Sequence, residues 1–195
     1  MDKIFIASNN DHKLNEINEI FKINNFSCEI LCPKTFNCHD EPEENGNSFK
    51  ENAYIKAKYY YDLFHLPTIG EDSGICIDHL GGKPGIYSKR FLQNLNNHDK
   101  NEEVIRLLEN ADNRKATFYA QICYIDSDGI VNYFLGINEG EIAKIQAGTN
   151  GFGYDPIFFI PSMNKTVAEL GNHWKNINSH RGKAFKQFID YVKNK

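Results

Sequence analysis

Two adjacent carboxylates, Glu71 and Asp72, stand in Gly70-Glu71-Asp72-Ser73-Gly74, between the apolar runs Leu66-Pro67-Thr68-Ile69 and Ile75-Cys76-Ile77. Such runs read as short strands. The acids therefore sit at an expected break between strands, among glycines that let the backbone turn or approach a ligand. Carboxylates so placed can hold a hard cation or take a proton from water. Glu-Asp-Ser-Gly also makes an ordinary acidic turn, and on this stretch alone the turn is the simpler reading.

Ser8-Asn9-Asn10-Asp11-His12-Lys13 offers a complementary chemistry. It follows the apolar run Lys3-Ile4-Phe5-Ile6-Ala7 and precedes Leu14, Ile17, Ile20 and Phe21 at helical spacing, so the order is buried strand, polar turn, helix. Asn10 or Asp11 caps the helix. Free amides at its start form an anion site, to which Lys13 can add charge. The competing reading is a capped surface helix with a solvated lysine. A lysine in the first turn opposes the helix dipole, which favours a phosphate ligand.

Three further stretches could contribute. Gly148-Thr149-Asn150-Gly151-Phe152-Gly153-Tyr154-Asp155-Pro156 is a glycine-rich loop able to present an aromatic face to a flat ligand, although for Phe152 or Tyr154 alone core packing is the favoured reading. His180 and Arg181, near the start of a C-terminal helix, again oppose the dipole. The loop from Pro33 to Gly46 carries Asp40, Glu41, Glu43 and Glu44, mostly a solvated face.

The elements that must position these residues follow from periodicity. Ser48-Phe49-Lys50-Glu51 opens a helix with a capping-box pattern, and Ala53, Ala57, Tyr60, Tyr61 and Phe64 form its apolar side. Lys56 and Lys58 ride on it. A helix is expected from Glu102 to Asn110. Ala116 to Ile125, Ser127-Asp128-Gly129 and Ile130 to Ile137 read as a β-hairpin, whose sheet Glu141 to Ile145 is expected to extend; Ile157 to Ile160 is another strand. The last helix turns Ala184, Phe185, Phe188, Ile189 and Val192 inward.

The 195 residues suffice for one large domain or two small lobes. With 41% hydrophobic and 13% aromatic residues the profile is globular, and the net charge of −4 argues against a general nucleic-acid binder. No run approaches membrane-spanning length, and no secretory segment precedes the first strand. Cys28, Cys32, Cys38 and His39 could be drawn as a zinc site, but their spacing is irregular. Five cysteines without CxxC spacing fit free thiols in a cytoplasmic protein.

Seven ordered motifs carry a resemblance. They are Ser8-x-Asn10-x-x-Lys13, Ser48-Phe49-x-Glu51-Asn52-Ala53-x-x-Lys56-Ala57, Glu71-Asp72-Ser73-Gly74, Gly82-x-Pro84-Gly85-x-Tyr87-Ser88, Gly151-Phe152-Gly153-Tyr154-Asp155-Pro156, Lys165-Thr166-x-Ala168-Glu169-Leu170 and Ser179-His180-Arg181-Gly182. In these the chain resembles the inosine/xanthosine triphosphate pyrophosphatase (Ham1-like) family, which removes non-standard purine nucleotides. It departs at Asn9, usually glycine, and at Glu71, usually aspartate.

The resemblance implies an α/β fold with a long mixed β-sheet flanked by helices. Residues 1–195 would form a single domain of two lobes, with a central cleft and no linker. It implies a homodimer that uses Mg2+ to hydrolyse ITP, dITP or XTP to the monophosphate and pyrophosphate, with no nucleic-acid or membrane partner. Ser8, Asn9, Asn10, Asp11, His12 and Lys13 would hold the triphosphate with Lys56. Glu44 and Asp72 would bind the metal, and Asp72 would also accept the proton. Ser73 would bind substrate beside it. Phe152 would stack on the base in a pocket shaped by Gly153, Tyr154 and Asp155, while Lys175, His180 and Arg181 would read the purine edge. Alternatives are a Maf-like pyrophosphatase acting on other modified nucleotides and a non-hydrolytic nucleotide-binding module.

Overall fold

The computed structural model describes residues 2–195. A seven-stranded mixed sheet runs in the order β2-β1-β3-β4-β5-β6-β7, and helices flank it. The strands are β1 (Lys3–Ile6), β2 (Glu29–Leu31), β3 (Thr68–Ile77), β4 (Lys115–Ile125), β5 (Val131–Ile142), β6 (Phe158–Ile160) and β7 (Lys165–Thr166). The helices are α1 (Asp11–Ile23), α2 (Phe49–Phe64), α3 (Asn97–Leu107), α4 (Val167–Asn178) and α5 (His180–Lys193). β1 pairs in parallel with β2 and β3, whereas β5, β6 and β7 pair antiparallel. Parallel neighbours need crossover connections, and α1 and α2 lie in those connections. Among the described residues no helix is long and apolar enough to cross a membrane.

The chain forms two compact units: Met1–Ser73 with Ala120–Gly136 and His180–Lys195, and Gly74–Tyr119 with Ile137–Ser179. The first has its core where α1 and α5 bury Ile17, Ile20, Phe21, Phe185 and Phe188 against Ile4, Ile6 and Ile69. Its Gly136 is required by close packing, since a Cβ there would lie 1.8 Å from the His180 carbonyl oxygen. The second unit buries Ile75, Ile77, Phe118, Ile142, Tyr154 and Phe158 with Val104 and Leu108 of the α3 segment.

Local signals account for the helix starts. Asn10 Oδ1 accepts from the Lys13 N–H at 3.2 Å and Ser48 Oγ from the Glu51 N–H at 3.1 Å. Glu51 turns its carboxylate to the Asn47 N–H instead of completing a capping box. Thr166 and Glu169 form a true capping box on α4. The third helix begins earlier than its apolar pattern suggests, because Asn96 caps it through the Asp99 N–H.

One expectation is corrected. Gly70 to Gly74 is no break: β3 runs unbroken through it. Gly70 serves packing and not turning, since a Cβ there would lie 2.1 Å from the Ala53 carbonyl oxygen and 2.6 Å from the Ala57 nitrogen on α2. Only a glycine lets the helix backbone approach so closely.

Candidate active site

Within a strand, successive side chains point to opposite faces, and this separates Glu71 from Asp72. Both are buried, at 6% and 5% exposure. Gly70 and Asp72 face α2; Glu71 and Ser73 face residues of α1 and α5. The two neighbouring acids therefore belong to different clusters in the first unit.

On the α2 side, Asn52, Ala53, Lys56, Ala57 and Tyr60 form the buried stripe of the helix. Lys56 Nζ lies 2.9 Å from Asp72 Oδ1 and 3.4 Å from Glu44 Oε1, so one cation serves two carboxylates. Asn52 Nδ2 donates to Asp72 Oδ2 at 3.3 Å, while its Oδ1 accepts from the Gly46 N–H at 2.9 Å. That second bond holds the loop just after Glu44. Burial raises the Asp72 pKa above its ordinary value, with Lys56 opposing. Burial also works against the Lys56 charge, but Asp72 and then Glu44 outweigh it and raise its pKa.

On the other side, Lys13 Nζ lies 2.6 Å from Glu71 Oε2. Arg181 Nη2 donates to Glu71 Oε1 and to Ser73 Oγ, both at 3.0 Å, and Nη1 donates to Glu16 Oε2 at 2.9 Å. Although burial disfavours its charge, Arg181 and then Lys13 hold the Glu71 carboxyl well below the usual carboxylate range. The Lys13 charge, which opposes the helix dipole, thus has a protein counterion. Ser8 Oγ accepts from the Asn10 N–H at 3.2 Å. Asn9 Oδ1 is buried without a hydrogen-bond partner. Asp11, exposed, pairs with Lys34, and His12 is exposed beside it. His180 is buried at the start of α5.

The second unit holds the aromatic loop. Asp155 Oδ2 accepts from the Phe152 N–H and from Lys175 Nζ, each at 2.7 Å. Lys175 Nζ lies 4.0 Å from the centroid of the half-buried Phe152 ring, a cation–π contact. Gly151 has φ +79°, and a Cβ there would strike Asp155 Oδ2 at 2.2 Å. Tyr154 is a core residue: its ring meets Phe118 and its hydroxyl donates to the Ser88 carbonyl at 3.2 Å.

The first unit thus gathers Ser8 to Lys13, Glu44, Lys56, Asp72, Ser73, His180 and Arg181, and the second holds Phe152 to Asp155 with Lys175. Sequence reasoning missed Glu16 and gave Asn52 no role. The signal was a polar residue inside each helix's buried stripe, at Glu16 beside Ile17 and at Asn52 beside Ala53.

Glu44 and Asp72 are hard oxygen donors of the kind Mg2+ uses one or two at a time, completing its shell with water and phosphate. Their shared attraction to Lys56 shows that both face one cation. No group of three or more His, Cys, Asp or Glu residues suited to a metal occurs among the described residues. The donor set fits magnesium.

A family model for the Ham1 family matches residues 4–191. The dITP/XTP pyrophosphatase of Borrelia duttonii (strain Ly) is 42% identical over 201 residues, covering 98% of each chain. That of Aquifex aeolicus (strain VF5) is 39% identical over 203 residues, covering 98% of this chain and 97% of its own. A solved HAM1 protein from Coxiella burnetii has a TM-score of 0.88 at 36% identity, over the whole of both chains. A nucleoside-triphosphatase / dITP/XTP pyrophosphatase from Mycobacterium abscessus has a TM-score of 0.75 at 31% identity, covering 97% of this chain and 99% of that one. With its strands, its buried acids and its aromatic loop all inside so long a match, the chain belongs to the Ham1 family.

Proposed function

We propose that this chain hydrolyses non-standard purine nucleoside triphosphates (dITP, ITP and XTP) to the monophosphate and pyrophosphate. The observation that carries the reading is the Asp72–Lys56–Glu44 arrangement, in which the buried strand acid Asp72 and the part-buried Glu44 are drawn to one cation. Full-length relatives named dITP/XTP pyrophosphatases support the choice of substrate.

The chain's own groups divide the work. Asp72 accepts the proton of the attacking water, a role that a carboxylate held in place by Lys56 and Asn52 can fill. Lys13 and the capped start of α1, from Ser8 to His12, bind the phosphates, and Lys56 adds positive charge against the departing pyrophosphate. Ser73 hydrogen-bonds substrate on the Lys13 side of the strand. Glu44 and Asp72 would hold Mg2+, which when bound neutralises phosphate charge and activates water. Phe152 stacks on the base, its plane set by Asp155 and Lys175. Lys175 offers a donor to the 6-oxo group. Arg181, expected beside it, is assigned instead to positioning Glu71 and Ser73, because Nη1 and Nη2 already serve three protein groups.

Hypoxanthine and xanthine present an acceptor at the 6-position and a donor at N1, and adenine presents the reverse. A site that donates to the 6-oxo group leaves groups unpaired against adenine, a mismatch that discriminates by roughly 10⁴-fold.

The test is pyrophosphate release from ITP, XTP, dITP, GTP, ATP and UTP, with and without Mg2+. Fast metal-dependent turnover of the first three and little of the rest is expected. Equal turnover of all six, or nucleotide binding without release, would overturn the proposal. The homodimer and cytoplasmic residence implied by the resemblance belong to the same proposal, and light scattering reads the first directly.

A further inference from the structure

Asn101 on α3 is 1% exposed and has no part in the chemistry above. Its Nδ2 donates to the Gly153 carbonyl at 3.0 Å and to Gln146 Oε1 at 3.3 Å. Gln146 Nε2 donates in turn to the His98 carbonyl at 3.1 Å and to Glu102 Oε1 at 2.6 Å. The strap therefore begins and ends on α3, with the aromatic loop attached at Gly153.

Two features set this contact apart from ordinary packing. First, Asn101 Oδ1 is buried with no hydrogen-bond partner. Leaving a buried acceptor unmade is a standing cost, and an apolar side chain of similar volume would avoid it. Second, Gly153 lies at φ +62° and has no side chain of its own to pack, and a Cβ there would meet nothing within 4 Å. The Phe152 N–H is tied to Asp155 on one side, and the Gly153 carbonyl is tied to Asn101 on the other. These two bonds hold the peptide units on either side of the Phe152–Gly153 link.

We propose that Asn101 is a positioning residue for base recognition. By gripping the Gly153 carbonyl it fixes the plane of the Phe152 ring over Lys175, and thereby tunes affinity and selectivity for the 6-oxopurine. The inference rests on the assignment of Phe152 to the base and deepens it.

The experiment compares the native chain with Asn101→Leu, Gln146→Ala and Phe152→Ala. KM and kcat are measured for ITP and ATP, with inhibition by inorganic tripolyphosphate, which has no base. Asn101→Leu deletes the donor together with the orphaned acceptor. It is expected to raise the KM for ITP about three- to tenfold, as the loss of one positioning hydrogen bond implies. The kcat stays within about twofold, because uniform binding is what is lost. The ITP-over-ATP preference narrows and the tripolyphosphate inhibition constant does not move. Gln146→Ala, at a half-exposed position, shifts ITP in the same direction by less, and it carries the test should Asn101→Leu fold poorly. Unchanged ITP constants in both variants, alongside a raised KM in Phe152→Ala, would overturn the positioning role and leave base stacking intact. Unchanged constants in Phe152→Ala would remove base stacking and this inference with it. A tripolyphosphate constant that weakens in step with the ITP KM would mark a general structural effect and also overturn it.

Discussion

Replacing Arg181 by methionine tests the reasoning about the buried charge cluster most sharply. The side chains of Arg181, Glu16 and Glu71 are 2%, 6% and 4% exposed. In Arg181→Met, of similar length, both carboxylates lose the guanidinium while still inside the first unit. Breaking a buried pair from one side costs about 3–5 kcal/mol, because the remaining charge is left uncompensated. Glu71 keeps Lys13 at 2.6 Å, which places the expected loss at the lower end, about 3 kcal/mol. At about 2–4 °C per kcal/mol for a chain of this size, the melting temperature should fall by roughly 6–12 °C. Arg181→Lys should fall between the two, since a single ammonium cannot reproduce a fork that serves Glu16, Glu71 and Ser73.

Unfolding by urea and by heat, in EDTA at pH 7 and at steps down to pH 2, measures this. The sign of the pH effect follows from Glu71. Its folded pKa lies below the ordinary 4.5, so its stabilisation is complete above that value and fades as pH falls through the folded pKa. The variant has lost most of this contribution, so its deficit should shrink in acid. A deficit under about 1 kcal/mol at pH 7, in the range of an exposed pair, would refute the reasoning. So would a deficit that grows as pH falls.

Three other outcomes are expected. Asp72→Asn should lower the kcat for ITP by about 10²–10⁴-fold, the range of lost acid–base catalysis, while ITP binding by equilibrium dialysis largely survives; a folded variant within tenfold of native activity would remove Asp72 as proton acceptor. Gly70→Ala should destabilise by about 1–3 kcal/mol or more in urea titration, since the added methyl meets α2 backbone and not a movable side chain; neutrality would mean that α2 shifts freely. The Asp72 pKa is raised above 3.8 by burial, with Lys56 opposing. Protons should therefore compete with Mg2+ at a higher pH than at an ordinary aspartate, and calorimetric Mg2+ affinity should fall as pH drops through that raised value. Affinity unaffected by acid would detach Asp72 from the metal.

Much of the architecture was legible from local chemistry. The strand-to-helix passage at Ser8 to Lys13 was readable because an asparagine cap and a 3.6-residue apolar rhythm announce a helix start in one place. The hairpin at Ser127 to Gly129, the apolar face of α5 and the glycine-braced loop at Phe152 were readable for the same reason. The α3 start was misjudged because its signal is a capping asparagine and not an apolar residue.

By itself, the sequence determined which residues could do chemistry and which elements carry them, since caps, turns and periodicity act over a few neighbouring positions. Only the tertiary structure decided which charges meet. Glycines around Glu71 and Asp72 look like a turn until α2 is seen to need the room above Gly70. Two acids joined by one peptide bond look like a pair until the strand sends Glu71 toward Lys13 and Arg181, and Asp72 toward Lys56. The partners come from positions 58 and 110 residues away in the first case and 16 in the second. No local rule reaches that far. The pairing arises because burying the apolar stripes of α1, α2 and α5 brings their polar positions to opposite faces of one strand, where each buried charge needs a counterion.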